Sequence, residues 1–216
     1  RGLGDVYKRQ VEREESGMSD VIVGDDGVSR CTWAAREPET TYHDTEWGFP
    51  LSGDTALFER VCLEGFQSGL SWRTILTKRE NFRKAFRGFD IATVARFGEA
   101  DVARLLGDAG IIRHRGKIEA SINNARHAED LIDAEGSLEA FFWRYAPDPD
   151  HVPGSMTTSP ESLALSKDLK KLGWRFVGPT TMFALMQAAG FVNDHAYDCA
   201  IRPTVDAAIS AHPRPS

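Results

Sequence analysis

Hydrophobic residues recur along most of the chain at the three- and four-residue spacing of amphipathic helices, and few stretches alternate as strands do. The stretch "TALFERVCLEGFQSG" shows the helical pattern well, with an apolar stripe made of Leu57, Phe58, Val61, Cys62 and Phe66. Gly69 follows this stripe and is suited to the end of a helix. We therefore predict a helix that ends just before Gly69.

Capping residues mark the starts of further helices. Asp90 precedes "IATVARF", Ser137 precedes "LEAFFWRYA", and Ser159 with Pro160 opens "PESLALSKDLKKLG". The stretches "EADVARLLGDAG" and "HRGKIEASINNARHAEDLIDAEG" are periodic and close in glycine. The pattern predicts an all-α protein of about ten short helices, with "PDPDHVPGS" as the main interrupting loop.

Length and composition fit an ordinary globular protein. The chain has 216 residues, 41% hydrophobic and 27% charged, which suits one or two domains with a real core. No apolar run is long enough to span a bilayer, so we expect no membrane partner and a cytoplasmic location. Three widely spaced cysteines favour free or metal-bound thiols over disulfides.

The first residues look foreign to the rest of the chain. Residues 1–17 lack an initiator Met and apolar periodicity, and "DVYKRQ" resembles a read-through translation of a transposon end used in sequencing-library preparation. We expect a non-native or disordered tail there, a true start at Met18 and an N-terminal lead-in over residues 18–29.

The net charge of −6 argues against a nucleic-acid partner, but the distribution of basic residues matters more than the sum. Six basic residues and one acidic residue fall between Trp72 and Arg87, and "IIRHRGK" and "SKDLKKLGWR" are also basic. These segments could converge on one DNA-binding face, or each could be a solvated helix surface.

A hairpin (residues 173–181) separates two predicted helices in "KKLGWRFVGPTTMFALMQAAG". Gly173 ends the first helix, and Gly178 with Pro179 begins the second, which exposes backbone N–H groups at a positive helix terminus. Basic residues and hydroxyls nearby could help to hold a DNA phosphate; they are Lys170, Lys171, Arg175, Thr180 and Thr181. The alternative is an ordinary helix-turn-helix corner.

The stretch "VNDHAYDC" sets His195 four positions before Cys199, and on a helix both would lie on one face. Such a pair is half of a tetrahedral metal site, and Cys31 and His43 could supply the other half. The gap between Cys31 and His43 fits no standard zinc spacing. The alternative to a metal site therefore stays open: His195 could be a core histidine with hydrogen-bonded ring nitrogens, and Cys199 a small buried apolar residue.

The stretch "CLEGFQSGLSW" carries an acidic residue, Glu64, on a mostly apolar helix. Glu64 is either a surface residue or a buried carboxylate with a partner to bind. Aromatic residues are dense nearby, namely Trp33, Tyr42, Trp47 and Trp72. Their rings are either core or the walls of a pocket for a planar or cationic ligand.

Together these blocks resemble a known family. "RCTW", "YHDTEWG", "CLEGFQSGLSW", "LLGDAGIIRHRGKIEASINNA", "KKLGWRFVGPTT" and "GFVNDHAYDC" occur in the order and spacing of the bacterial type I 3-methyladenine DNA glycosylases, within the helix-hairpin-helix glycosylase superfamily. The resemblance implies a helix-hairpin-helix fold and a glycosylase domain at residues 30–202. It leaves residues 203–216 as a variable tail.

The resemblance also assigns roles. Four residues would bind a structural zinc that joins the N- and C-terminal segments: Cys31, His43, His195 and Cys199. The base pocket would be formed by Trp33, Tyr42, Trp47, Glu64 and Trp72, with Glu64 as the catalytic residue. Gly69 and Leu70 would belong to the loop that enters the duplex, and Gln67 would lie beside it. The DNA contacts would come from Lys170, Lys171, Gly173, Arg175, Gly178, Thr180 and Thr181. Phe66 and Ser68 depart from the family pattern beside that loop.

The implied function is hydrolytic excision of 3-methyladenine from alkylated double-stranded DNA by a monomeric enzyme. No lyase activity is expected, because no Lys is placed for Schiff-base chemistry and Asp194 lies where this family carries a zinc ligand. Two alternatives stay open. One is a zinc-stabilised DNA-binding module without catalysis, and the other is an unrelated soluble helical enzyme.

Overall fold

The computed structural model describes residues 20–147 and 156–213. The predicted tail at residues 1–17, nearly all of the loop "PDPDHVPGS" and residues 214–216 lie outside the described residues. The predicted division into tail, lead-in, domain and variable end therefore stays a prediction.

The described residues are mostly helical, as the hydrophobic pattern predicts, and they contain ten α-helices. The first five are α1 (Glu39–Thr45), α2 (Asp54–Gln67), α3 (Trp72–Ala85), α4 (Ile91–Ala95) and α5 (Glu99–Gly107). The other five are α6 (Arg115–Glu135), α7 (Leu138–Trp143), α8 (Pro160–Lys171), α9 (Pro179–Ala188) and α10 (Arg202–Ala211). Over the described ranges, none of these helices is long and apolar enough to cross a membrane.

Part of the lead-in forms strands, which the all-α prediction did not include. Strand β1 (Val21–Val23) pairs antiparallel with β2 (Ser29–Cys31), with Val21 opposite Cys31. The turn between them is closed locally, because Asp26 Oδ1 accepts a hydrogen bond of 3.1 Å from the N–H of Val28. This β hairpin carries Cys31 into the interior of the protein.

The predicted helix caps are confirmed. Asp90 accepts a hydrogen bond of 2.9 Å from the N–H of Thr93, and Ser137 accepts one of 2.9 Å from the N–H of Ala140. Ser159 caps α8 by accepting from the N–H of Ser162 at 3.1 Å. Each cap satisfies a backbone donor that the helix itself leaves unpaired.

Helix α2 lies at the centre of the core and contacts α3, α6, α7 and α9. Its stripe packs against phenylalanine rings, with the Phe66 and Phe82 centroids 4.6 Å apart. The two ends of the domain also meet. The N–H of Ala200 donates to the carbonyl of Ser29 at 2.9 Å, and the Ser29 hydroxyl donates to the carbonyl of Asp198 at 2.7 Å. Residues near 30 and near 200 thus share one site.

Candidate functional site

Three of the four predicted metal ligands converge where the chain ends meet. The ligand atoms of Cys31, His43 and Cys199 all lie within 4.8 Å of one another, and all three residues are buried. His195 lies beside them, with its ring centroid 4.7 Å from that of His43. We call these four residues the Cys–His cluster.

Both histidines of the cluster are oriented through Nδ1. The Nδ1 of His43 lies 2.8 Å from Oδ1 of Asp44, whose carboxylate also accepts from Nε of Arg30 at 2.9 Å. The Nδ1 of His195 lies 2.8 Å from the side-chain oxygen of Asn193. An Nδ1–H that donates to these oxygens leaves the Nε2 lone pair free for another partner.

The Nε2 of His195 is buried and has no hydrogen-bond partner among the described residues. Burial and the neighbouring His43 ring lower the pKa of His195 to about 4, so its ring is neutral. The Cys31 thiol hydrogen-bonds Cys199 and lowers the pKa of that thiol, and His43 adds to this effect. Thiol sulfur and imidazole nitrogen are donors of the kind that zinc prefers.

The expected helical arrangement of His195 and Cys199 is wrong. Both residues lie in an irregular segment between α9 and α10 rather than one turn apart on a helix. Cys199 still reaches the cluster, since its Sγ lies 3.5 Å from the Nε2 of His43, and backbone turns shape this segment. One such turn is the hydrogen bond of 3.0 Å from the N–H of Cys199 to the carbonyl of Ala196. The N–H of Ala196 in turn donates to Sγ of Cys31 at 3.3 Å.

The four predicted aromatic residues form one connected group, which we call the ring cluster: Trp33, Tyr42, Trp47 and Trp72. The Trp33 and Trp47 centroids are 4.9 Å apart, and those of Tyr42 and Trp72 are 5.4 Å apart. Trp33 links the two pairs at 6.4 Å from Tyr42. Trp33 is 40% exposed, so the group opens to the surface rather than closing as core.

The ring cluster and the Cys–His cluster share a wall. The Trp47 centroid is 4.5 Å from that of His195, and the Trp33 centroid is 5.2 Å from that of His43. The position of two ring-cluster members therefore depends directly on the two histidines.

Glu64 is buried, with 4% of its surface exposed, and no described residue donates a hydrogen bond to its carboxylate. Burial raises the pKa of Glu64 to about 7, against the opposing charge of Arg60. The same carboxylate contributes to the raised pKa of the buried Tyr42, so the two groups are electrostatic neighbours. Of the two interpretations left open for Glu64, the structure shows the buried residue rather than the surface one.

Arg60 is a member of this site that the sequence interpretation missed. Its guanidinium donates to the Tyr42 hydroxyl and lies 5.2 Å from the Tyr42 ring centroid and 5.8 Å from that of Trp72. The residue is buried one helical turn before Glu64. An arginine on the apolar stripe of α2 is the signal that could have revealed it.

A short loop (residues 68–71), which we call the wedge loop, follows α2 and presents Leu70, which is 42% exposed. Gly69 has φ of 78°, a conformation that L residues rarely adopt, and the N–H of Leu70 closes the turn on the carbonyl of Gln67 at 2.6 Å. Ser71 then caps α3 by accepting from the N–H of Thr74 at 3.3 Å. An apolar side chain is thus held at the tip of a short, defined turn.

The hairpin has the predicted form. Gly173 has φ of 86° and ends α8 within two residues, and Pro179 is the first residue of α9. Thr180 is exposed at the start of α9, and Lys170, Lys171 and Arg175 are exposed on the α8 side. The hairpin lies against α2, because a Cβ added to Gly65 would lie 3.5 Å from Cβ of Phe176.

The three basic segments do not form one continuous face of unpaired charge. Along α3, Arg73 pairs with Glu39 at 2.8 Å, Arg79 pairs with Glu46, and Arg83 pairs with Glu59 at 2.8 Å. This segment therefore fits the alternative of a solvated, ion-paired surface. The other two segments approach each other, since the His114 centroid is 6.4 Å from that of Phe176, the residue that directly follows "SKDLKKLGWR".

Comparison with known proteins finds methyladenine glycosylases, both by a family model and among individual relatives. A family model described as methyladenine glycosylase matches residues 33–202. The chain is 46% identical over 183 residues to DNA-3-methyladenine glycosylase 1 of Escherichia coli (strain K12), covering 82% of this chain and 98% of that protein.

Solved structures agree. A crystal structure of 3-methyladenine DNA glycosylase I, 46% identical, matches with a TM-score of 0.76 and covers 79% of this chain and 98% of that one. A structure that describes 3-methyladenine recognition by the Staphylococcus aureus 3-methyladenine DNA glycosylase I is 36% identical, with a TM-score of 0.76 and coverage of 81% and 96%. The similarity extends over the whole domain rather than one motif.

Proposed function

This chain belongs to the methyladenine glycosylase family, and we propose from that premise that it hydrolyses the N-glycosidic bond of 3-methyladenine in alkylated double-stranded DNA, which starts base excision repair. The observation that carries the proposal is Glu64, a buried carboxylate without a hydrogen-bond donor among the described residues, next to an open group of aromatic rings. The described residues leave this acceptor without a donor, and a ligand that donates to it would supply the missing hydrogen bond.

The ring cluster suits the alkylated base. Methylation at N3 gives the adenine of the nucleotide a positive charge, and aromatic faces attract cations. The Nε1 of Trp72 is buried without a partner among the described residues, so the site offers one unpaired donor as well as the Glu64 acceptor. The edge of an adenine ring presents both kinds of group.

The chemistry needs little acid catalysis. The methylated base carries its positive charge before the reaction, so the bond between C1′ and the base can break with its electron pair going to the ring, which leaves as neutral 3-methyladenine. Water adds to C1′ and loses a proton to solvent. Glu64 holds the base while the charge is redistributed, and a cationic base near it lowers the pKa of this carboxyl and favours its charged form.

The nucleotide must leave the helix to reach a site of this kind. We assign this step to the wedge loop, where exposed Leu70 on the Gly69 turn would fill the space left in the stack while Gln67 lies at its base. We assign the hairpin between α8 and α9 to phosphate binding, which makes the fold a helix-hairpin-helix. N–H groups at Thr180 and Thr181 would meet a phosphate, with Gly178 allowing close approach and Lys170, Lys171 and Arg175 adding charge.

The Cys–His cluster fits a structural zinc ion. Two thiols and two imidazoles are a donor set of tetrahedral zinc, and the unpartnered Nε2 of buried His195 needs a partner that the described residues do not supply. The ion would be held by Cys31, His43, His195 and Cys199. It would join the β hairpin to the segment before α10 and fix Trp33 and Trp47 through the two histidines.

We propose a hydrolase without lyase activity, acting as a monomer. Asp194 accepts a hydrogen bond of 2.5 Å from Gln187 and adjoins His195, so its carboxylate is engaged away from the role of a catalytic base. The most buried lysine of the described chain, Lys117, donates to two backbone carbonyls instead of facing the ring cluster. Strand cleavage by β-elimination on an abasic duplex would contradict this part of the proposal.

The first test is release of free bases from methylated duplex DNA, with 3-methyladenine resolved from 7-methylguanine. We expect selective release of 3-methyladenine by the wild-type protein. Glu64→Gln should slow release by about 10- to 100-fold, the worth of a hydrogen bond to a charged group. Glu80→Gln, which changes an exposed carboxylate, is the matched control and should keep full activity. A folded protein that binds DNA and releases no base would instead be a DNA-binding module without catalysis.

A further inference from the structure

Helix α6 contacts the wedge loop through one buried lysine, which hydrogen-bonds to the backbone at the start of the loop. The ammonium of Lys117 donates to the carbonyl of Phe66 at 2.9 Å and to that of Ser68 at 2.6 Å. These carbonyls belong to the last turn of α2 and to the first loop residue, where no helical N–H follows to pair with them. These two hydrogen bonds, which we call the Lys117 tether, therefore set the direction in which the chain leaves α2 towards Leu70.

Seven residues later the same helix holds the hairpin through a second set of hydrogen bonds, which we call the Asn124 tether. The side chain of Asn124 donates to the carbonyl of Arg175 at 2.9 Å and accepts from its N–H at 2.8 Å. Asn123 adds a hydrogen bond of 2.9 Å to the carbonyl of Gly173. The backbone of the hairpin tip is thus fixed by side chains of α6.

The two tethers lie on one face of α6. Positions 117, 121 and 124 follow the spacing of a single helical stripe, and Ser121 between them is buried. At about 1.5 Å of rise per residue, Lys117 and Asn124 are separated by about 10 Å along the helix axis. All three residues line a small cavity together with Gly65 and Phe176, so α2, α6 and the hairpin meet there.

Stability alone does not explain a lysine at position 117. Lys117 is in the first turn of α6, where the positive end of the helix dipole disfavours a cation. Only 8% of the residue is exposed, and burial lowers the pKa of its ammonium. Desolvating a charge for two neutral carbonyl partners costs more than an apolar contact would. A residue with these costs is better explained by the precise placement of the loop.

We propose that Lys117 and Asn124 are positioning residues that use α6 as a common support to hold the wedge loop and the hairpin at one separation. DNA that is bound through the hairpin then meets Leu70 at a fixed place in the base stack. The inference rests on the proposed function of both elements. It predicts that loss of either tether impairs the step that takes the nucleotide out of the duplex and spares the pocket for the free base.

The experiment compares two readouts for Lys117→Met and Asn124→Leu. One is the single-turnover rate of 3-methyladenine release from duplex DNA, and the other is the affinity of the protein for free 3-methyladenine. We expect each variant to lose about 10- to 100-fold in rate, since a displacement of 1 Å can cost about that much. Free-base affinity should stay within about twofold of wild type. Equal rates in wild type and both variants would overturn the proposal.

A double-mutant cycle separates positioning from a general loss of stability. In the wild-type background Leu70→Ala should slow duplex excision, whereas in the Lys117→Met background it should cost much less, because the loop is already misplaced. The same factor in both backgrounds would mean that Lys117 only stabilises the fold. If Lys117→Met does not fold, Asn124→Leu with Leu70→Ala provides the same cycle.

Arg126→Met is the matched control. Arg126 lies on the same helix and also donates to two backbone carbonyls, those of Ala95 at 2.9 Å and Phe97 at 3.1 Å, but these belong to the end of α4 and the residues after it. Its excision rate should match wild type. If the wild-type protein itself releases no base, the proposed function fails. If the wild-type protein is active and Lys117→Met and Asn124→Leu excise the base at the same rate, only this inference fails.

Discussion

The Cys–His cluster and the ring cluster share a wall but differ in how the protein orients their polar groups. In the Cys–His cluster, Asp44 orients His43 and Asn193 orients His195, so each ring has one defined partner. Beside the ring cluster, Glu64 is a buried residue whose carboxylate receives no hydrogen bond from the described residues, and within the cluster the Nε1 of Trp72 has no hydrogen-bond partner among them. Both regions thus hold polar atoms that await a ligand, but in the Cys–His cluster the ring that carries such an atom, His195, is oriented through its Nδ1.

The two regions also differ in where their order comes from. The Cys–His cluster closes a loop between residues that are 156 positions apart in the chain, as the contact of His43 with Cys199 shows. The ring cluster draws on residues that are at most 39 positions apart: Tyr42 lies in α1, Trp72 begins α3, and Trp33 and Trp47 lie just before and just after α1. Disrupting the first region should therefore lower stability, and disrupting the second should mainly lower activity.

The largest effect is expected from Cys199→Ser. Bound zinc should fall from about one ion per chain to nearly none, as measured by metal analysis of the purified protein. Structural zinc typically contributes roughly 10–16 kcal/mol of binding free energy. If the variant lost only about 4 kcal/mol of this from its free energy of unfolding, its Tm would fall by about 10 °C. Cys62→Ala removes the buried cysteine outside the cluster and should keep its zinc. Full zinc content in Cys199→Ser would show that the Cys–His cluster does not bind the zinc.

Glu64→Gln should make the protein more stable at alkaline pH. In the wild type, the pKa of this carboxyl rises from 4.5 to about 7 on folding, so the folded state binds more protons between these values. The free energy of unfolding must then fall as pH rises through that window, by roughly 3 kcal/mol relative to the glutamine variant. Urea unfolding of both proteins at about pH 4 and about pH 8 measures this difference. Parallel curves would show that Glu64 is not a desolvated acid.

The smallest effect is expected from Trp72→Phe. The change keeps an aromatic face but removes the unpaired Nε1 donor, so affinity for free 3-methyladenine should fall by about 2- to 10-fold. Trp143→Phe is matched to it, because the Nε1 of Trp143 is also buried without a partner in the described chain but packs against Phe191. Both variants should have similar free energies of unfolding, and equal affinity losses in both would place the base elsewhere.

Much of the fold could be predicted from the sequence because its signals are local. Ser137, Asp90 and Ser159 cap helices through bonds that span three residues. The turn at Gly69 likewise depends on its own backbone conformation. The β hairpin before Cys31 was missed because its strands are three residues each, too short to show alternation.

The candidate site was predicted only in part. The residue types of the Cys–His cluster could be chosen from the sequence, but the helical arrangement of His195 and Cys199 was wrong, because tertiary contacts shape that segment. The basic residues of α3 suggested a DNA surface, yet Arg79 and Arg83 are paired with acidic residues. Composition shows charge, whereas pairing depends on neighbours in space.

The sequence by itself determined the helices, their caps and the kinds of side chain available, because these depend on interactions within about four residues. Only the tertiary structure decided that Glu64 lacks a donor, that Arg60 lies against two rings, and that Lys117 holds the wedge loop. The bond from Lys117 to Phe66 spans 51 positions, and so does that from Asn124 to Arg175. Such partners are set by the packing of whole helices, which no local pattern encodes.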